Sequence, residues 1–257
     1  MTEGILVTER HGAVVVLRLN RPEARNALSP QLLSEFGMGL EHAEQDPDVR
    51  CVVITGTGDR AFCAGMDLRA FAAGDSSGAD PQGMANFLRF TRGEISVPLV
   101  GAANATAVAG GLELLLGCDV VVASDAATFG LPEARRGLFA AGGGVFLSTR
   151  IPLAVALEMT LTGDPIDAAR AYALGLVNQV VPAEQVLEAA LALAERIARN
   201  GPLALAATKE LVRLAVIDAE QTRARQAEWQ TTVFSSEDAK EGASAFVEKR
   251  DPVWRGR

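Results

Sequence analysis

The sequence predicts an α/β protein whose alternating core precedes a helical C-terminal region, and three observations carry that prediction. Short apolar runs rich in β-branched residues or alanine recur at 13–19, 51–55, 99–103 and 119–123. Stretches of helical character lie between them, an order that builds a sheet from successive strand and helix units. From residue 153 onward the pattern is helical apart from a strand-like run at 176–181, and Asn200, Gly201 and Pro202 stop one helix and start the next. The expected division is a core over residues 1–200 and a helical subdomain over 201–257.

Taken in order, the chain opens on a strand pair at 5–8 and 13–19, hinged at His11 and Gly12. A loop containing Arg21 and Pro22 follows. Ser29 is placed to cap a helix with Pro30 at its first position, and that helix ends near Asp46 and Pro47. The run 51–55 is a short buried strand closed by Gly56 and Gly58. Segment 74–83 is rich in turn residues and reads as a mobile loop near a ligand. Residues 110–117 form a helical turn or two between the strands at 99–103 and 119–123. The last helices carry Leu211, Leu214, Val216, Ala227, Val233 and Phe234 beyond a core that could already close. These residues either serve an oligomer interface or cover their own core.

At 257 residues and 49% hydrophobic content the chain is long enough for one large domain with a sizeable core. Glu113 and Asp119 interrupt the longest apolar stretch before it reaches the roughly 20 residues that span a bilayer. The first residues have neither the basic start nor the apolar segment of a signal peptide, so a soluble, cytoplasmic protein is expected. A net charge of −8 argues against nucleic acid as a partner. The odd set of Cys51, Cys63 and Cys118 lacks metal-type spacing and reads as reduced packing residues. With only His11 and His42, both near the N-terminus, Ser/His, Cys/His and His-metal chemistries are poorly supported, and no metal is expected.

Glu113 is the only charged residue between Glu94 and Asp119. A carboxylate in such an apolar run either costs several kcal/mol or holds its proton, and both outcomes suggest a working acid or base. Twenty residues on, Glu133 follows the turn from Phe129 to Pro132, equally isolated. Two turns could complement the pair. Residues 61–68 and 109–112 each follow a strand and lead into a helix, so backbone N–H groups there are free to point forward. Two such groups aimed at one point form an oxyanion hole, worth roughly 3 kcal/mol per donor. Spacing alone makes neither turn specific.

Several ordered motifs make the chain resemble the enoyl-CoA hydratase/isomerase, or crotonase, superfamily: Asn20 to Pro22 with Asn26 to Leu28, Ala61 to Leu68, Gly110-Gly111 with Glu113, Phe129 to Glu133, Leu161 to Gly163, Gly175 to Val177, and Phe246 to Arg250. The match runs from about Ile5 to Trp254. The resemblance implies a spiral of ββα units, also known in Clp-type proteases, with a C-terminal helical region used in trimerisation. It implies a homotrimer or a hexamer of two trimers, an acyl-CoA thioester substrate, and no cofactor beyond the coenzyme A of that substrate. The two oxyanion amides fall on Met66 and Gly110, and the catalytic pair on Glu113 and Glu133. Ala64, Asp67, Leu68 and Arg69 fall where relatives wrap the pantetheine, although Asp67 could equally be a helix cap. Phe246 and Lys249 match positions that reach a neighbouring subunit's CoA, and Glu248 to Arg250 could otherwise be a solvated helix end. Pocket shape is expected from Met66, Phe71, Leu138, Phe139 and the 74–83 loop.

The chain departs from the pattern in three places. Ala109 precedes the glycine pair where many hydratases carry a third glycine, and Asn104 is followed by Ala105 rather than glycine. After Glu133, Ala140 stands at a common proline position and Ala141 at the glycine whose amide helps to place the water. The implied activity is hydration of a 2-trans-enoyl-CoA. Carnitinyl-CoA-type dehydration, 3,2-enoyl-CoA isomerisation and a non-enzymatic acyl-CoA-binding oligomer are the alternatives, and a peptidase lacks its Ser/His pair.

Overall fold

The computed structural model describes residues 4–257. Strands β1 (Leu6–His11) and β2 (Val14–Leu19) form an antiparallel hairpin in which Leu6 faces Leu19 and His11 faces Val14. The first strand therefore ends at the expected hinge, where Gly12 takes φ 59°. Its polar residues are tolerated because it lies at the sheet edge, where Glu9 accepts from Arg18 Nε at 2.8 Å across the pair. Helix α1 (Pro30–Gln45) starts as its sequence indicates, with Ser29 Oγ accepting from the Leu32 amide and proline in the first turn. Strand β3 (Cys51–Gly56) then pairs in parallel with β2.

Helix α2 (Leu68–Ala73) and helix α3 (Pro81–Thr91) flank the turn-rich segment. Its last residues are not loop: Asp80 caps α3 by accepting from the Gly83 amide, and Pro81 opens the helix. Gly83 lies against α1, where a Cβ would meet the Ser34 carbonyl oxygen at 2.3 Å, and a Cβ on Gly37 would sit 1.9 Å from the Gly83 carbonyl oxygen. The two helices thus touch backbone to backbone, with Phe36 and Phe90 edge-to-face beside the contact at 5.1 Å.

Strand β4 (Leu99–Ala103) continues the parallel sheet, and the two-residue strand β5 (Ala107–Val108) leads into helix α4 (Gly110–Gly117). Strands β6 (Val120–Ser124) and β7 (Thr128–Gly130) follow. Then come α5 (Leu153–Thr162), β8 (Ile166–Asp167), α6 (Ala168–Ala173) and β9 (Gln179–Val181). The main sheet runs β1-β2-β3-β4-β6-β9, parallel beyond the first hairpin. Only 179–181 of the strand-like run at 176–181 joins it, since Leu176 and Val177 are buried in the preceding turn.

The largely apolar strands follow from burial on both faces. Alternate residues Val14, Val16, Cys51, Val53, Val100 and Val122 pack on helix α7 (Val186–Ala198) through Val186, Ala190 and Ala194. Their neighbours Val15, Leu17, Val52 and Ile54 face the larger core, which includes Leu32, Phe36 and Leu40 of α1 and Leu112 and Leu115 of α4. A second small sheet, β5-β7-β8, was not expected from the sequence: the turn at 129–132 begins inside a strand, and β5 and β8 are two residues each.

Helices α8 (Pro202–Ala215), α9 (Ala219–Ser235) and α10 (Glu237–Glu248) complete the chain. Helix α9 buries no residue, and Phe234 is 77% exposed. Among the described residues no helix is long and apolar enough to cross a membrane. The three cysteines are unpaired and buried, and burial pushes each thiol up to about 12. Replacing Gly37 by Ala is expected to lower stability by roughly 1–3 kcal/mol through forced separation of α1 and α3, read as a fall in the urea midpoint at unchanged slope.

Candidate active site

The small sheet sets the geometry of the site. Ala107 pairs with Phe129 and Val108 with Gly130, and the ladder closes with the Ala109 amide donating to the Gly130 carbonyl at 2.9 Å. One strand runs directly into α4, which bears Glu113, and the other into Leu131, Pro132 and Glu133, so the pairing draws the two carboxylates together. A third segment joins the same edge. Cys63 bridges to Ala107, with the Phe62 amide donating to the Thr106 carbonyl and the Val108 amide to the Cys63 carbonyl. A fourth is laid on that one, as Leu28 bridges to Met66.

Buried side chains lock these layers. Asn26 is fully buried; its Oδ1 accepts from the Arg21 amide at 3.0 Å, and its Nδ2 donates to the carbonyls of Thr57 and Ala61. Arg21 pairs with Asp67 at 2.9 Å. Asp67 is a helix cap, accepting from the Arg69 and Ala70 amides, and its Arg21 partner holds its carboxyl below the usual range. Through these contacts Asn26 and Arg21 hold the layers in place, and the sequence marked them only as part of a motif.

Met66 and Gly110 come together at this junction. A Cβ on Gly110 would lie 3.6 Å from the Met66 nitrogen, and among the described residues neither amide donates to a protein acceptor. Close approach depends on missing side chains: a Cβ on Gly111 would sit 2.1 Å from the Cys63 carbonyl oxygen, and Gly65 has φ +90°. Ala109 does not follow this logic. It sits at φ 53° and ψ −130°, a region suited to glycine, with its methyl 2.6 Å from where a Gly65 Cβ would be.

Glu113 is half-buried on α4, and its Oε1 accepts from the Gly144 amide at 2.9 Å. Burial pushes its carboxyl up from the ordinary 4.5, opposed by the amides of Gly144 and Gly142. Gly142 and Gly144 were not singled out in the sequence. Their lack of side chains is the signal, since a Cβ on Gly142 would lie 2.6 Å from Glu113 Oε2 and one on Gly144 3.1 Å from Oε1.

Glu133 opens a short 3-10 helix, Glu133–Arg136, anchored by Arg135 Nε donating to the Thr162 carbonyl at 2.8 Å. Its Oε2 is buried without a hydrogen-bond partner. Burial is the main cause that raises its carboxyl, and the charge of Glu113 raises it further, against its own backbone amide and Arg136. Two partly buried carboxyls, both biased towards the protonated form and one of them further by the other's charge, suit proton transfer. Ala141 is exposed beside them, with an amide that meets no protein acceptor among the described residues.

The remaining predicted residues divide by position. Ala64 is partly buried beside Gly65, while Met66, Leu68 and Arg69 are exposed at the rim. Phe246, 86% exposed, and Lys249 lie at the end of α10 and are not drawn into this chain's own carboxylate site. A cavity of about 630 Å³ adjoins Glu113, but its walls are not Met66, Phe71, Leu138 or Phe139. They come instead from the ends of α3 and α4, from Gly142, Gly143 and Phe146, and from α8.

The family model described as enoyl-CoA hydratase/isomerase matches residues 9–257. The chain belongs to that family. It is 39% identical to a carnitinyl-CoA dehydratase of Proteus mirabilis, with all of each chain covered. It is equally 39% identical to an enoyl-CoA hydratase of Mycobacterium tuberculosis, covering 98% of this chain and 96% of the relative. A crystal structure of an enoyl-CoA hydratase from M. tuberculosis superposes with a TM-score of 0.91 at 40% identity, covering 99% of this chain and 100% of the other. The fold is thus that of the crotonase superfamily, as the sequence motifs imply.

Replacing Ala109 by Gly is expected to raise stability by about 1 kcal/mol by releasing backbone strain, seen as a higher urea midpoint. Gly65→Ala is expected to lower it, since both its φ and the Ala109 methyl oppose a side chain there.

Proposed function

We propose that the protein is an enoyl-CoA hydratase that adds water across C2 and C3 of a 2-trans-enoyl-CoA to give the 3-hydroxyacyl-CoA. The observation that carries this reading is a pair of partly buried carboxyls, Glu113 held by the Gly144 amide and Glu133 with an unpartnered Oε2, together with the two unengaged amides of Met66 and Gly110. The thioester oxygen takes hydrogen bonds from the Met66 and Gly110 amides, which stabilise the negative charge it gains as water attacks C3. Glu113 accepts a proton from that water while its oxygen bonds to C3, and Glu133 delivers a proton to C2. The proton gained by Glu113 returns to Glu133, so the net change is the addition of one water. No metal or separate cofactor enters these steps.

Ala64, Leu68 and Arg69 line the rim where the pantetheine enters, with Asp67 holding the turn in place through its cap and Arg21. A trimer, or a hexamer of two trimers, completes the CoA site in this reading. The bare surface of α9 and the exposure of Phe246 and Lys249 support a neighbouring subunit there. A second reading, dehydration of a carnitinyl-type acyl group, is favoured by the relatives of that name.

Glu113→Gln and Glu133→Gln are each expected to reduce kcat for crotonyl-CoA hydration by about 10²–10⁴-fold, followed by loss of enone absorbance. A 3,2-isomerase working through Glu133 alone would keep its activity in Glu113→Ala. In the wild type, kcat/KM rises with pH as the base ionises, and because burial raises that carboxyl the limb lies above 4.5. It falls again as the acid loses its proton. Both limbs belong to the coupled pair, and an acidic limb at or below the ordinary glutamate value would contradict the assignment.

A further inference from the structure

The cavity beside Glu113 has a composition that the hydratase reading leaves unused. Much of its wall is apolar, with Leu116, Phe146, Leu205, Val212 and Val216. Its charges are unbalanced. Arg92, Arg150, Lys209 and Arg213 line it, against Asp119 and Glu113 itself. Asp119 is already matched by Lys209 and Arg213, each at 2.9 Å. Arg150 donates to the carbonyls of Leu116 and Cys118, which carry no net charge, and among the described residues neither Arg150 nor Arg92 has a carboxylate within ion-pair distance. This wall is positive in a chain of net charge −8.

The charges lie close to the reacting region. The carbonyls of Leu116, Gly117 and Cys118, which hold Arg150 and Arg213, follow Glu113 along α4 by three to five residues, about one helical turn or roughly 6 Å. Gly142 lines the cavity and also steadies the Glu113 carboxylate, so the space begins at the base itself.

We propose that the acyl group runs past Glu113 into this cavity, and that its positive wall rejects acyl groups bearing a fixed cation while admitting uncharged ones of the same shape. This rests on the acyl-CoA reading above and separates its two branches. A carnitinyl group ends in a quaternary ammonium, which has no proton to lose and would enter beside arginines that keep theirs. An uncharged branched or linear chain meets only the apolar surface. The discrimination is electrostatic, so it weakens as ionic strength rises.

The test uses two saturated thioesters that cannot be hydrated, so its outcome does not depend on turnover. Calorimetric titration of the full-length protein with 4-(trimethylammonio)butanoyl-CoA and with its uncharged isostere 5,5-dimethylhexanoyl-CoA compares charge at constant shape. The expected Kd for the cationic ester is about tenfold weaker or more. Arg92 is exposed and without a side-chain partner among the described residues, so Arg92→Glu should fold normally and shrink the ratio, with Arg92→Gln intermediate. Equal affinities, tighter binding of the cation, or a ratio indifferent to residue 92 would overturn the proposal, as would absence of binding by both esters. A preserved ratio in a protein that hydrates no enoyl-CoA would leave this inference standing and remove the hydratase reading alone.

Discussion

Everything in the site depends on keeping a carboxylate where water is scarce. Desolvation of Glu113 opposes its charge, and the Gly144 and Gly142 amides oppose the desolvation without cancelling it. A stronger cage of donors would make Glu113 too weak a base, and a purely apolar one would leave it protonated. The glycine run at 142–144 resolves this conflict sterically, since side chains at 142 or 144 would displace the carboxylate from the amides that hold it. Glu133 completes the balance from the other side, with one oxygen left unpartnered and its acidity lowered further by its neighbour's charge.

The larger architecture serves that arrangement by bringing distant segments to one edge. Four stretches of chain are laid side by side through Leu28 and Met66, Cys63 and Ala107, and Ala107 and Phe129. Each contact is only a residue or two long, so the layers rely on buried pins such as Asn26 and on glycines that permit backbone contact. The far end of α4 is anchored as firmly, because Arg150 and Arg213 hold its last carbonyls and Lys209 joins Arg213 on Asp119. Helix α8 therefore braces the helix that carries Glu113.

What was legible in the sequence follows from the range of the forces involved. Strands β2, β3, β4 and β6 are apolar on both faces and α1 carries its own cap, so local pattern sufficed for them. The isolation of Glu113 and Glu133 marked the pair, and motif order pointed to the amides of Met66 and Gly110. Strands β5 and β8 escaped because two residues hold no periodicity, and 81–83 looked like loop because helix contact selects the same glycine that a turn does. Asp67 is settled as a cap by the Arg69 and Ala70 amides, and Arg21, 46 residues away, holds its other oxygen in a contact that no local pattern marks. The cavity walls were hidden for the same reason, since α8 lies some ninety residues beyond Glu113 in the chain.

The most direct measurement is a carbon-detected NMR titration of the glutamate carboxyls, assigned with Glu113→Gln and Glu133→Gln. Two carboxyls are predicted to titrate above the ordinary 4.5, and Glu133 is predicted to titrate lower once Glu113 has lost its charge. Ordinary values for both residues, or a Glu133 titration unmoved by Glu113→Gln, would contradict the view that these groups form one desolvated, coupled pair.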